Sequence, residues 1–248
     1  MKQETLINAN HTILLQDTAA KINTKLEELS SDSTIVFGLC GGRSIVNLLK
    51  ELRNSEIFIR KYLPKIHFFL VDERLVDISV PESNFYLLNQ EFFQNLLKQN
   101  LINKDQIHYF PACTQNIQLL LKTYSKDLQK IKNSFDICIL GVGEDGHIAS
   151  LFPNHPSLES QDEYFIEVKD APKMPAGRMS ASLKMLSRSK FLIGLFLGES
   201  KKEAFKNFKN NSISITQCPA KILNSVNSLI VSDLNLVPQK LTDTSNRL

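Results

Sequence analysis

The chain has 248 residues, of which 42% are hydrophobic, and this length is enough to bury one large core. Its 29 Lys and Arg residues nearly balance its 26 Asp and Glu residues, so the net charge of +3 gives no broad reason to expect nucleic-acid binding. The longest apolar run, residues 191–197, is too short to cross a membrane, and the opening residues lack the apolar core of a signal peptide.

Short apolar runs alternate with helical periods along the chain. Residues 34–40 predict a buried strand, and residues 44–53 predict a helix because apolar residues recur there at i, i+3, i+4 and i+7. Further strands are predicted at residues 66–71, 137–140, 164–168, 191–197 and 228–231. Further helices are predicted at residues 83–99, with Ser83 as N-cap, and at residues 117–131 and 200–208.

This alternation predicts an α/β fold in which helices cover both faces of a parallel sheet. Ligands of such sheets bind beyond the carboxyl ends of the strands. Interior prolines gather in residues 153–177, which we interpret as a flap or a small subdomain. Because there is no repeat or long linker, we treat residues 1–248 as a single domain.

Six of the nine glycines fall in two clusters that each follow a predicted strand. The first cluster ends in Gly41 and Gly42, followed by Arg43 and Ser44 at the start of a helix. Free backbone N–H groups and the helix dipole favour an anion there, typically a phosphate. A tight turn without a ligand explains the same residues equally well.

The second cluster spans residues 141–150 and contains Glu144, Asp145 and His147. An imidazole titrates near neutrality, so His147 can take a proton from water and return it, with Asp145 or Glu144 orienting it. The alternative is that Asp145 caps a helix and that the histidine is a passive surface residue. We favour the functional interpretation because catalytic groups concentrate on such loops.

A third polar segment, Asp72, Glu73 and Arg74, directly follows the strand predicted at residues 66–71. A guanidinium at this edge of the sheet can stabilise a developing oxyanion, although a local surface ion pair would give the same pattern. The histidines show no i, i+4 spacing and the four cysteines no CxxC spacing, so no metal site is predicted.

Taken in order, these segments resemble the 6-phosphogluconolactonase family of the glucosamine-6-phosphate isomerase/lactonase superfamily. Residues 140–153, LGVGEDGHIASLFP, carry the most diagnostic match. The other matching blocks are the phosphate loop at residues 41–44, VDER at 71–74 with Ser83-Asn84, Pro172-Lys173 with residues 178–180, GESK at 198–201, and CPA at 218–220. The phosphate loop departs from the family's usual SGGSTP, since residues 40–45 read CGGRSI, and the family's usual Trp near the last strand is missing.

The resemblance implies a Rossmann-like parallel α/β sandwich and a cytoplasmic enzyme of the pentose phosphate pathway. The enzyme would hydrolyse 6-phospho-D-glucono-1,5-lactone to 6-phosphogluconate, without metal or organic cofactor. In this hypothesis His147 is the general base, Asp145 orients it, and Arg74 stabilises the oxyanion. The substrate-binding residues would be Gly41, Gly42, Arg43, Ser44, Asp72, Arg178 and Lys201. The expected partner is the phosphosugar lactone, with no nucleic acid or membrane, and the protein would be a monomer or small homo-oligomer.

Two other functions stay open at this level. A glucosamine-6-phosphate deaminase shares the DGHIA block, although the residues ASLFP at 149–153 favour the lactonase. A non-catalytic sugar-phosphate sensor is less favoured, because such sensors usually carry a DNA-binding domain, for which the chain has no room.

Overall fold

The computed structural model describes residues 2–29, 31–112 and 116–234, which contain ten strands and seven α-helices. The strands are β1 (Gln3–Ile7), β2 (Ile35–Leu39), β3 (Ile66–Leu70), β4 (Asp72–Arg74), β5 (Ile107–His108), β6 (Ile137–Gly141), β7 (Phe165–Val168), β8 (Arg178–Ala181), β9 (Phe191–Phe196) and β10 (Ser228–Ser232). The helices are α1 (His11–Glu28), α2 (Arg43–Arg53), α3 (Asn84–Leu88), α4 (Gln94–Lys98), α5 (Ile117–Ile131), α6 (Leu183–Ser187) and α7 (Lys202–Lys209). One of the four cysteines, Cys113, lies outside the described residues.

Seven strands form one parallel sheet in the order β1-β10-β9-β6-β2-β3-β5. Every residue of β2, β9 and β10 is buried, so both faces of the sheet are covered. A parallel sheet buried on both faces needs a helical layer on each side. The predicted α/β fold is therefore confirmed, and the predicted helix at residues 83–99 exists as α3, a π-helical turn and α4, with Ser83 Oγ accepting from Tyr86 N at 3.1 Å.

The order of the strands fixes where a ligand site can form. From β2 the chain continues to β3 and β5 at one edge of the sheet, and β6 then returns to the other side of β2. Connections therefore leave β2 and β6 in opposite directions, which opens a crevice at the carboxyl ends of these strands. Both glycine clusters of the sequence follow these two strands.

A second sheet holds three antiparallel strands in the order β4-β8-β7. The strand predicted at residues 164–168 is correct as a strand, but it belongs to this sheet and not to the parallel one. Residues 153–177, expected to form a flap or a small subdomain, contain a 3₁₀ turn at Pro156–Glu159, the strand β7 and the loop that leads to β8. Pairing of β4 with β8 brings Arg74 opposite Arg178. Because β4 directly follows β3, this pair lies at the carboxyl edge of the parallel sheet.

A buried carboxylate joins the amino ends of the central strands. Asp136 is fully buried, and its Oδ2 accepts from the backbone N of Val36 at 2.8 Å and from Lys132 Nζ at 2.7 Å. Lys190 Nζ lies 2.8 Å from the other carboxylate oxygen. Charge pairing thus fixes the start of β2 and β6 at the end of the sheet opposite to the crevice.

Within the described residues, no helix combines the length and the apolar character that crossing a membrane requires.

Candidate active site

A cavity of about 210 Å³ lies at the crevice between β2 and β6. Five of the residues singled out in the sequence line it: Gly41, Asp72, Arg74, His147 and Arg178. They come from the loops after β2 and β6 and from the strands β4 and β8, so the fold brings distant segments together. A larger groove of about 730 Å³ lies between α5 and β7, but its lining contains none of the predicted site residues.

The imidazole of His147 is paired with a carboxylate. His147 Nδ1 lies 2.5 Å from Asp145 Oδ1, and the ring packs against Phe152 with the centroids 4.6 Å apart. Partial burial raises the pKa of Asp145, but the hydrogen bond and charge of His147 outweigh it and leave the pKa at about 2. Within the described residues His147 Nε2 makes no hydrogen bond, so it is the nitrogen that can bind a water in the cavity.

Gly143 allows this arrangement because the loop folds tightly under the ring. A Cβ at Gly143 would lie 2.0 Å from His147 Nδ1 and 2.6 Å from Asp145 Oδ1, so no larger residue fits without displacing the pair. Gly143 N donates to the carbonyl of His147 at 2.8 Å, which closes the turn. Asp145 does not cap a helix here, because residues 142–151 form turns and bridges.

The first glycine cluster also approaches a neighbour closely. A Cβ at Gly41 would lie 2.0 Å from Asn84 Oδ1, which itself lines the cavity. Asn84 Nδ2 donates to the carbonyl of Asp72 at 2.8 Å, so the loop after β2 and strand β4 meet at this amide. Gly41 therefore gives backbone access to the cavity at a point where a side chain would not fit.

Glu73 is a structural carboxylate that places Arg74. It is fully buried and accepts from the backbone N of Arg74 at 2.7 Å, of Asn84 at 2.7 Å and of Phe85 at 2.8 Å, and from Ser83 Oγ at 2.9 Å. Burial raises the pKa of Glu73, while these four hydrogen bonds oppose the increase. The local surface ion pair considered for this segment is absent from the described residues, because Glu73 bonds instead to the start of α3.

Two arginines make the cavity electropositive. Arg74 Nη1 donates to the carbonyl of Glu82 at 2.5 Å, while its buried Nε has no partner among the described residues. Arg178 is 4% exposed, and its Nε and Nη2 donate to the carbonyls of Pro175 at 2.6 Å and Lys173 at 2.8 Å. Burial, and then the charge of Arg74, lowers the pKa of Arg178. Arg178 therefore holds the loop over the cavity as well as contributing charge.

Asp72 presents an unpaired oxygen beside these arginines. The residue is 5% exposed; its Oδ2 accepts from Ser150 Oγ at 2.9 Å, and its buried Oδ1 has no partner among the described residues. A buried acceptor left unpaired costs free energy, about 1–3 kcal/mol in mutational data. A ligand hydroxyl in the cavity would satisfy it.

Comparison with known proteins identifies the family. The family model described as glucosamine-6-phosphate isomerases/6-phosphogluconolactonase matches residues 9–231. The chain belongs to this family. A 6-phosphogluconolactonase from Borreliella burgdorferi is 38% identical over 203 residues, covering 82% of this chain and 85% of that protein. One from Thermotoga maritima is 29% identical over 182 residues, covering 73% and 78%. The family resemblance inferred from the motifs is thus confirmed. Both of these relatives are named as lactonases and not as deaminases.

Solved structures of the family share the fold. The crystal structure of the Thermotoga maritima 6-phosphogluconolactonase matches with a TM-score of 0.78 at 23% identity, covering 93% of this chain and all of that one. A monomeric glucosamine-6-phosphate deaminase matches with a TM-score of 0.76 at 18% identity, covering 92% and 97%. Lactonases and a deaminase fit almost equally well, so these structures support the fold and do not separate the two reactions.

Four predicted binding residues lie outside the lining of the cavity. Gly42, Arg43 and Ser44 lie where α2 begins, and Arg43 is exposed to solvent. Lys201 ends a 3₁₀ turn directly after β9, whose neighbour in the sheet is β6. All four are at the carboxyl edge of the sheet, and their binding roles stay predictions.

Sequence reasoning gave no role to several residues of the cavity. Lys173 and Asn84 were noticed only as parts of matching blocks, yet both line the cavity with Cys40 and Ser150. The signal for Asn84 was its place beside the N-cap Ser83, and for Lys173 its place before Arg178. His155 accepts from Ser157 N at 3.1 Å and caps a 3₁₀ turn, and its ring packs against Phe152, which lines the cavity.

Proposed function

We propose that this chain hydrolyses 6-phospho-D-glucono-1,5-lactone to 6-phosphogluconate, the lactonase step of the oxidative pentose phosphate pathway. The observation that carries the proposal is the Asp145–His147 pair, which opens into a cavity that also contains Arg74 and Arg178. A base and a cation facing one cavity are what ester hydrolysis by water requires. The names of the relatives support the same reaction.

In the proposed mechanism, His147 Nε2 removes a proton from water as the water oxygen attacks the lactone carbonyl carbon. Arg74 stabilises the negative charge that forms on the carbonyl oxygen. Collapse of the tetrahedral intermediate breaks the bond to the ring oxygen, which takes the proton from the imidazolium. The ionised Asp145 keeps Nδ1 protonated and stabilises the imidazolium in between.

The phosphate of the substrate is proposed to bind at the carboxyl edge between the loops after β2 and β9. The backbone of residues 41–44, Lys201, Arg178 and Lys173 would surround it. Anchoring a group remote from the reacting carbon orients the carbonyl and reduces the entropic cost of the reaction. Asp72 Oδ1 is proposed to accept from a sugar hydroxyl.

The test is lactone hydrolysis, with substrate made freshly by glucose-6-phosphate dehydrogenase and product followed through 6-phosphogluconate dehydrogenase. After subtraction of the spontaneous rate, wild type should accelerate the reaction and His147→Ala should lose at least about 10²-fold in kcat/KM. His11→Ala is the matched control, since it removes an exposed imidazole that does not line the cavity. Ammonia release from glucosamine 6-phosphate without lactone hydrolysis would identify a deaminase instead.

The remaining expectations are part of the proposal. The mechanism uses no metal or organic cofactor, the chain acts as one domain, and it works as a monomer or small homo-oligomer without nucleic acid. Free thiols at Cys40, Cys138 and Cys218 support a reducing compartment such as the cytoplasm.

A further inference from the structure

An acidic side chain lies among the cations of the proposed phosphate site. Glu144 Oε1 accepts from Lys173 Nζ at 2.9 Å, and Lys173 lines the cavity. Glu144 belongs to the loop after β6, while Lys201 belongs to the loop after the adjacent strand β9. Within the described residues, Lys201 Nζ forms no ion pair.

Both lysines favour the ionised form of Glu144. The hydrogen bond from Lys173, followed by the charges of Lys173 and Lys201, lowers the pKa of Glu144. The carboxylate is therefore ionised at neutral pH. This carboxylate is bonded to Lys173, and the charge of Lys201 also favours its ionised form.

We propose that Glu144 acts as an internal substitute for the phosphate, so that the substrate's phosphate must displace this carboxylate from Lys173 when it binds. The inference rests on the proposed function, because that function places a phosphate beside Lys173 and Lys201. It gives Glu144, which has no part in the proposed chemistry, a role in selecting the ligand. A dianionic phosphate attracts the lysines more strongly than a singly charged carboxylate and wins the exchange.

The geometry allows the exchange without movement of the loop. Arg178 donates to the carbonyls of Lys173, Met174 and Pro175, which fixes the backbone of this segment. Rotation of the Lys173 side chain is then sufficient to change its partner. The side chains of Lys173 and Glu144 are 42% and 58% exposed, and ion pairs this exposed are weak enough to be replaced.

The experiment measures the affinity for inorganic phosphate by ³¹P NMR titration of the intact chain. Glu144→Gln should bind phosphate about two- to fivefold more tightly than wild type, the range that removal of one exposed competing charge gives. Glu91→Gln is the matched control, because it removes the same charge from an exposed Lys–Glu pair, Lys50–Glu91, outside the cavity lining. Its affinity should equal that of wild type.

A double variant tests whether the competition acts through Lys173. In a Lys173→Met background, Glu144→Gln should increase the affinity for phosphate much less than it does in the wild-type background. Unchanged or weaker phosphate binding by Glu144→Gln, or a full gain without Lys173, would overturn the inference. The titration measures phosphate affinity and requires no catalysis. A failure of the proposed lactonase activity in the hydrolysis assay can therefore be distinguished from a failure of this inference.

Discussion

At the scale of single residues, the site depends on how closely the loop after β6 folds on itself. Asp145 and Gly143 are both within four residues of His147, so the imidazole is oriented by its own loop. Ala149, on the same loop, has φ of 48°, a conformation that costs a non-glycine residue about 1 kcal/mol. Strain of this kind persists only when the surrounding contacts hold it.

Gly143→Ala should therefore damage catalysis without unfolding the protein. Its new Cβ would lie 2.0 Å from His147 Nδ1, so the ring must move away from Asp145. We expect kcat to fall about 10²-fold or more, because the base loses its orienting partner. Steady-state kinetics, together with the NMR signal of the proton between His147 and Asp145, would measure both effects.

Gly141→Ala provides the comparison, since a Cβ there meets nothing within 4 Å. It should keep the NMR signal of the His147–Asp145 proton. Retention of both the signal and wild-type kcat by Gly143→Ala would contradict the assigned role of the turn.

Much of the candidate site was predictable because its residues follow strands of one parallel sheet. His147, Arg74 and Gly41 each follow a clear apolar run, and such residues meet at the carboxyl edge whatever the loop details. The contact of Lys173 with Glu144 joins loops 29 residues apart, and no local pattern encodes it. The hydrogen bonds of Arg178 to loop carbonyls could not be predicted either, because they depend on the backbone geometry of the loop.

At the scale of elements, the buried parallel strands and β7 were predictable from their apolar runs, whereas β4 and β8 were not. β2, β6 and β9 are continuous apolar runs with bounds within one or two residues of those predicted. β4 reads Asp-Glu-Arg, and its pairing with β8 about 100 residues later leaves no local signal. The helix α1 was also missed, because polar residues interrupt its buried face and Thr18 belongs to that face.

Asp136 offers a test of what holds the central strands together. Asp136→Ala should lower the free energy of unfolding by about 3 kcal/mol, because two lysines and the Val36 N–H lose a buried partner. Urea unfolding would measure the change. Asp127→Ala removes an exposed partner of Lys130 at 2.7 Å and should cost less than about 1 kcal/mol. Equal losses in the two variants would show that burial of Asp136 is unimportant.

At the scale of the whole molecule, stability should depend on pH through the histidines at one edge of the sheet. His108 Nε2 lies 2.9 Å from His67 Nδ1, and the His108 ring stacks on Phe69 at 4.0 Å. Burial, and then the charge of His67, lowers the pKa of His108 from 6.5 to about 4. Between these values the unfolded chain binds more protons, so stability falls as pH decreases from about 6.5 towards 4.

Unfolding in urea at pH 7 and pH 5 should show this loss as about 1–2 kcal/mol, after allowance for partial solvent screening. Carboxylates with lowered pKa values titrate mainly below this window, so they contribute little. The variant His108→Gln should show a smaller difference between the two pH values. If the stability of wild type did not change with pH, the proposed contribution of His108 would be refuted.

The edge strand β1 carries a consequence for how the chain folds. Its sheet partner is β10, the last described strand, and the backbone N of Ser228 donates to the carbonyl of Lys2 at 3.1 Å. During synthesis, β1 must therefore wait until the distant strand β10 has been made before it can pair. Closing so long a loop is slow, so β1 should be the last strand to acquire protection from hydrogen exchange. The crevice between β2 and β6, by contrast, can form before either of these strands has joined the sheet.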